Sequence, residues 1–231
     1  MPPLVSALCA TKNRRAFLPA ALRCFQAQDW PERELVVLDD GEDAVADLIP
    51  DDPRIRYVRA SGPMRMGEKF NAMVRLARGQ LLHFWDDDDW QAPRALRVLA
   101  EAQIRTGAAV VGLCEMILHD IDTRETWVWH YPLGPKHLIG GSTLWTRRAW
   151  EHHPFDDALA KDADYAFLVD RPRGEIAFLK EDWTWYVATI HGGNTTPRLP
   201  RDNRTPHWRR WEGDWKDVLR GEPPPWWLSP G

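Results

Sequence analysis

Residues 81–90 read LLHFWDDDDW, an apolar run closed by four consecutive aspartates and a tryptophan. The pattern is that of a buried strand whose carboxyl end is loaded with like charge. Adjacent carboxylates repel, and burying one of them unpaired is costly. A solvated acidic loop is one account of the run. The other is a strongly positive group held there in the working protein, a divalent metal carrying a phosphate-bearing ligand.

Working outward, the first hundred residues alternate strand and helix signals. LVSALCA (4–10) is a continuous apolar run, as expected of a strand covered on both faces. Residues 14–28 carry Phe17, Leu18, Ala21, Leu22 and Phe25 at helical spacing, with Pro19 acceptable in the first turn. Strands are predicted over 34–38, 54–58 and 80–85. A helix is predicted over 67–79 with Gly79 as its stop, and another from Pro93 to a stop at Gly107. Strands alternating with helices imply a mostly parallel sheet with right-handed crossovers, whose ligands sit beyond the carboxyl ends of the strands. Two acidic clusters fall at those ends, Asp39-Asp40 and Asp86 to Asp89. That coincidence favours the ligand account over the solvated loop.

The second half changes character. AAVVGLCEMIL (108–118) and ETWVWHY (125–131), separated by a turn-like HDIDTR, suggest an antiparallel pair. STLWTRRAW (142–150) and WTWYVATIH (183–191) read as further strands, with a helical patch at 162–169. Residues 192–206, rich in Gly, Pro, Asn and Thr, read as a mobile loop and a candidate lid over the ligand. A terminal helix over 207–220 precedes the tail GEPPPWWLSPG. The organisation expected is one domain over 1–206, with a ligand-binding half (1–107) and an acceptor-side half (108–206), followed by the helix and tail (207–231).

Composition narrows the classes. Of the 231 residues, 44% are hydrophobic and 28% charged, and the formal net charge of -4 argues against a general nucleic-acid binder. No apolar stretch approaches the roughly 18 residues of a membrane span, and no basic segment precedes the N-terminal apolar run as in a signal peptide. Cys9, Cys24 and Cys114 lie far apart and read as reduced core residues of a cytoplasmic protein. The chain has 14 tryptophans, most of them after residue 126. Core packing is their default account, and stacking on sugar rings is the alternative.

In extended chain, residues two apart share a face, so Asp86 and Asp88 can address one ion. Hard divalent cations take oxygen ligands, and magnesium sites use one or two carboxylates plus substrate phosphates. A calcium EF-hand loop is excluded, because its glycine and glutamate positions counted from Asp86 hold Gln91 and Arg97.

The segments VSALCATKNR, ELVVLDDG, GEKFNAM and GQLLHFWDDDDWQAPRAL occur here in one order, and together they resemble family 2 glycosyltransferases of the GT-A fold, in the branch with a DDDDW run. The resemblance covers about residues 4 to 100 well and is looser from 108 to 195, through GGSTLWTRRAW, ADYAF and TIHGGNT. It implies an α/β, Rossmann-like fold with a mostly parallel central sheet and a small antiparallel acceptor-side part. It implies a metal-dependent, inverting transfer of a sugar from a nucleotide-sugar, a UDP-sugar first among them, to an acceptor hydroxyl. The DxD motif of that family, which binds Mn²⁺ or Mg²⁺ bridging the donor diphosphate, falls on Asp86 and Asp88, with Asp87 near the ribose or donor sugar. Ala10, Thr11, Asn13, Arg14 and Asp40 would hold the base and ribose, and Lys69 would lean toward the nucleotide. On the residues alone, a solvated first-turn lysine is the plainer account of Lys69.

The resemblance also assigns a base. The aspartate of the family's ED pair falls on Asp164, three residues before Phe167, with Asp162 as a competitor and Ala163 standing where the family has glutamate. Asp162 lies about 200° from Asp164 around a helix, so only one of them is expected to face the sugar. Some GT-A enzymes place a late histidine on the metal, which here would be His191, although a lone histidine is more often structural. His152-His153 reads as ordinary surface. Two rival readings remain open, a noncatalytic carbohydrate- or nucleotide-binding protein, kept alive by Ala163, and a nucleotidyltransferase making nucleotide-sugars. The place expected is the cytoplasm, with the tail a candidate for contact with the inner face of the membrane.

Overall fold

The unbroken apolar run at the start of the chain forms β1 (Val5–Thr11), and the amphipathic stretch after it forms α1 (Leu18–Gln26). β2 (Arg33–Asp39), β3 (Ile55–Arg59), α2 (Met66–Leu76) and β4 (Leu81–Phe84) follow. The acidic run separates β4 from a two-residue strand, β5 (Trp90–Gln91), and α3 (Ala95–Thr106) comes next. The second half supplies β6 (Val110–Leu113), β7 (Glu115–Asp120), β8 (Thr126–His130), β9 (Leu144–Thr146), α4 (Arg147–His152) and α5 (Ala163–Val169). It closes with β10 (Ile176–Leu179), β11 (Tyr186–Ile190), β12 (Trp208–Arg210) and α6 (Trp215–Leu219). The structure, a computed structural model, describes residues 1–131, 138–169, 171–180, 182–195, 207–222 and 225.

Among the described residues, seven strands form a central sheet in the order β10-β6-β9-β4-β1-β2-β3. β1 pairs in parallel with β2 and β4, β2 with β3, and β10 with β6. Only β9 runs against its neighbours β4 and β6. This is the mostly parallel α/β sheet expected from the sequence. Its two faces are both covered: Val5, Ala7 and Cys9 join one buried cluster with α1 and α3, while Leu8 joins a second with α2, α4 and α5. Burial on both sides is why β1 shows no polar alternation.

The helix signals hold at two ends and fail at a third. Pro19 sits in the first turn of α1, and Gly107 caps α3 with φ 65°, a left-handed position that favours glycine. Gly79 is not the stop of α2, which ends at Leu76. A Cβ on Gly79 would stand 2.6 Å from Leu4 O and from Ser6 Oγ, so glycine is there for close packing against the start of β1.

A second sheet of five described strands has the order β12-β8-β7-β11-β5. β7 and β8 form the expected antiparallel pair, whereas β11 runs parallel to β7 and antiparallel to β5. Three sequence expectations are corrected. The run 108–118 is two strands split at Cys114, with β6 in the central sheet and β7 in the second. Residues 142–150 are one short strand followed by α4, started where the Thr146 side chain accepts the Ala149 N–H. The expected helix over 207–220 is β12, paired with β8, and only the short α6 after it. Most of the expected lid (196–206) and the end of the tail (226–231) lie outside the described residues.

Tryptophan is core material here. Trp145 and Trp185 are fully buried, and Trp129, Trp183, Trp208, Trp211 and Trp215 pack against the cluster that holds α1 and α3. The Trp145 ring lies tilted at 4.3 Å from Phe84, with Phe155 and Phe167 at 5.9 and 5.6 Å. Trp145→Ala is therefore expected to lower the unfolding free energy by about 3–5 kcal/mol in urea titrations followed by circular dichroism. A loss below about 1 kcal/mol would mean that this ring is not part of the core.

Candidate active site

At the carboxyl ends of the central strands lies a cleft of ≈ 880 Å³. Ala10, Asn13, Arg14, Lys69, Asp86, Asp87, Asp88, Asp164 and His191 all line it. Thr11 and Asp40 do not, and both are buried behind its wall. No tryptophan lines it among the described residues.

The four aspartates have four different surroundings. Asp86 takes the Tyr186 hydroxyl at 3.3 Å, and its carboxylate lies against Gly141, where a Cβ would collide with it. Asp87 is buried, and burial together with the charge of Asp88 pushes its carboxyl up to about 7, with the neighbouring Thr11 hydroxyl pulling the other way. Asp88 faces His191, Arg14 and Asn194. Asp89 turns away from the cleft, accepting the Tyr186 hydroxyl and the Thr189 N–H at 2.7 Å. The simple alternation expected for Asp86 to Asp88 fails because β4 stops at Phe84, and all three of these residues reach the cleft. The negative field extends inward: burial, then Asp87, Asp86 and Asp88, drive the Cys9 thiol well above its usual range.

His191 follows β11 and stands with Nε2 3.0 Å from Asp88 Oδ2. Its ring stacks on Phe17 at 4.2 Å, its Nδ1 accepts the Gly193 N–H at 3.1 Å, and its own N–H donates to Asn194 Oδ1 at 2.8 Å. Arg14 NH1 lies 3.1 Å from the same Nε2, and Arg14 also donates to the Gly193 carbonyl. Among the described residues no three acidic, histidine or cysteine side chains are already gathered at metal-binding distance. The donor chemistry nevertheless fits a hard divalent cation: carboxylates of Asp86 and Asp88 and an imidazole border one cleft.

The second acidic cluster divides in the same way. Asp39 is fully buried and structural, accepting from Gly41 N–H (2.9 Å), Val45 N–H (3.2 Å) and Tyr57 OH (2.9 Å) and pairing with Arg59 at 2.8 Å. Asp40 accepts the Met64 N–H at 2.8 Å and pairs with Lys69. Lys69 is 4% exposed, so the solvated-lysine account is wrong: an acidic partner inside the fold holds it there. Asn13 takes φ 56° and its Oδ1 accepts the Glu42 N–H at 2.8 Å, tying the loop after β1 to the loop after β2.

Asp164 opens α5 and its carboxylate rests on Gly140, the neighbour of the glycine that Asp86 touches. Ala163 points into the core beside Phe167 and Leu168. Asp162 also lines the cleft, against the helical-wheel expectation, because it precedes the helix with φ 57° and its carbonyl accepts the Ala166 N–H at 3.0 Å. Sequence reasoning missed Tyr186, which spans Asp86 and Asp89, and the Gly140–Gly141 turn. A tyrosine in an apolar strand was the available signal for the first, since a buried phenol needs a partner. The paired glycines were the signal for the second.

The profile of Glycosyl transferase family 2 matches residues 6–155. A GalNAc(5)-diNAcBac-PP-undecaprenol beta-1,3-glucosyltransferase of Campylobacter jejuni is 33% identical over 121 residues, covering 48% of this chain and 38% of that protein. The fold resembles S. aureus TarS 1-349 in complex with UDP-GlcNAc, with a TM-score of 0.67 at 18% identity over 83% of this chain and 60% of that one. It also resembles the mannosyltransferase PcManGT from Pyrobaculum calidifontis in complex with GDP-Man and Mn2+, with a TM-score of 0.58 at 14% identity over 80% and 59% of the two chains. The chain thus spans less than two thirds of each of these proteins. With the family profile matched along most of its length and the fold in agreement, the chain belongs to glycosyl transferase family 2.

Proposed function

We propose that this chain is a metal-dependent, inverting glycosyltransferase that moves a sugar from a nucleotide-sugar to an acceptor hydroxyl. One observation carries the reading: Asp86 of the acidic run and Asp164, the candidate base, lean on consecutive glycines of a single turn in one cleft. An acid-stabilised leaving group and a proton acceptor are the two things that such a transfer needs.

Asp86, Asp88 and His191 would hold Mn²⁺ or Mg²⁺, which when bound offsets the negative charge that grows on the leaving diphosphate. Asp164 accepts the proton of the acceptor hydroxyl as its oxygen forms a bond to the anomeric carbon. The bond from that carbon to the diphosphate oxygen breaks, and its electron pair leaves with the nucleoside diphosphate. A single displacement of this kind inverts the anomeric centre. Asn13 and Ala10 border the space for the base and ribose, and Lys69, held by Asp40, presents a positive charge to the same space.

Ala163 was the support for a noncatalytic reading. Its side chain is buried beside Phe167 and does not reach the cleft, so its identity bears on packing rather than on the proton acceptor. UDP-sugars are the first donors to test, because TarS was solved with UDP-GlcNAc and with UDP. The Campylobacter relative is named for a glycan on undecaprenyl diphosphate, which makes a lipid-linked glycan at the inner face of the membrane the first acceptor class. No helix among the described residues is long and apolar enough to cross a membrane.

Incubation with a panel of nucleotide-sugars and Mn²⁺ should release nucleoside diphosphate from one of them, and silence across the panel would count against transfer. Asp88→Asn should keep its circular dichroism spectrum but lose Mn²⁺-dependent UDP binding in calorimetry; unchanged affinity would remove Asp88 from the metal. Asp164→Asn should bind UDP and Mn²⁺ normally while turnover falls by roughly 10² to 10⁴. Asp162→Asn should stay within a few-fold of the parent, and the reverse ranking would name Asp162 as the base.

A further inference from the structure

Arg14 was expected beside the base and ribose. In the structure it stands beside two of the residues assigned to the cation, Asp88 and His191. Its NH1 lies 3.6 Å from Asp88 Oδ2 and 3.1 Å from His191 Nε2, and those two atoms are themselves 3.0 Å apart. The second guanidinium nitrogen donates to the Gly193 carbonyl, and the guanidinium carbon lies 5.8 Å from the centre of the Phe17 ring, on whose face His191 stacks. The arginine therefore pairs with the carboxylate oxygen that a divalent cation would need, and lies beside the imidazole that borders the same place.

The histidine is set for this arrangement. With Nδ1 accepting the Gly193 N–H, a neutral ring carries its proton on Nε2, the atom facing Asp88. That nitrogen has no lone pair to give a metal until the proton shifts. A cation and a guanidinium on the same Asp88 oxygen would also repel strongly at such separations. Arginine is well matched to another place in the same cleft, since its planar fork bonds phosphate oxygens in pairs.

We propose that Arg14 is an internal counter-ion of the metal site. It neutralises Asp88 while the donor is absent, and the donor diphosphate draws it off, so that nucleotide and cation bind as a coupled pair. The inference rests on the metal reading given above and adds to it a reason for ordered loading. By linkage, whatever factor the nucleotide adds to cation affinity, the cation adds to nucleotide affinity.

The test is Mn²⁺ binding to the whole chain, read as free Mn²⁺ by electron paramagnetic resonance, with and without UDP. The parent should bind Mn²⁺ weakly alone and more tightly with UDP. Arg14→Met should bind Mn²⁺ alone roughly three- to tenfold more tightly than the parent, the range expected for losing one partly exposed ion pair, and UDP should then add less. Arg14→Gln serves if the methionine variant misfolds, and the same gain is expected of it. The direction decides the matter, because loss of a merely structural residue weakens the site. Equal or weaker Mn²⁺ binding by a folded variant overturns the counter-ion role while leaving the metal reading standing. Absence of Mn²⁺ binding by the parent even with UDP overturns the metal reading, and the inference with it.

Discussion

Four carboxylates on consecutive residues at the end of a buried strand repel one another, and each of them needs its own answer. Asp89 turns inward to a phenol and a backbone N–H. Asp87 goes into the wall beside Thr11 and is held far less acidic than an ordinary carboxyl. Asp88 meets Arg14 and His191, and Asp86 takes a phenol and a glycine turn. The solutions come from four different parts of the chain. One local conflict of charge thereby fixes the loop after β1, the Gly140–Gly141 turn, β11 and the turn that follows it.

The same conflict joins the two sheets. Tyr186 stands at the start of β11 and reaches both Asp86 and Asp89, while Asp89 also anchors Thr189 further along that strand. β5, immediately after the run, pairs antiparallel with β11. Those bonds set the register of β11, and the register delivers His191 to Asp88 one residue beyond its end. The cleft is thus a seam between sheets rather than a groove in one, which is common where α/β folds bind ligands. Asp89, behind it, is held by a backbone and a phenol donor that cannot swing away, whereas Asp88 in the cleft meets the side chains of Arg14, His191 and Asn194.

What the sequence disclosed depends on how local each cause is. Strands covered on both faces write themselves as unbroken apolar runs, and helices carry their own marks in Pro19 and Gly107, so the first hundred residues were readable element by element. The same continuity hid the break at Cys114, because nothing apolar distinguishes the end of β6 from the start of β7. β12 was hidden for another reason: Trp208–Arg210 has helical spacing to its neighbours, and only pairing with β8 makes it a strand. At the site, the acidic run marked the place but not the division of labour. The ion pairs of Lys69 and Arg14 were not legible, since their acidic partners Asp40 and Asp88 are distant in the chain and come near only through the sheet.

The turn at Gly140–Gly141 and the alanine at 163 explain each other. Backbone there passes between two carboxylates, and a side chain on either glycine would strike Asp164 or Asp86. Ala163 and Phe167 are four apart and share the buried face of the helix, which leaves Asp164 to face the opening. A glutamate at 163 would carry its charge into a cluster containing Trp145, Phe155 and Phe167, where it would need a buried partner. Alanine meets the packing without that demand. The departure from the family's ED pair therefore falls on the core side of the helix, and the cleft keeps the carboxylate that proton transfer would use.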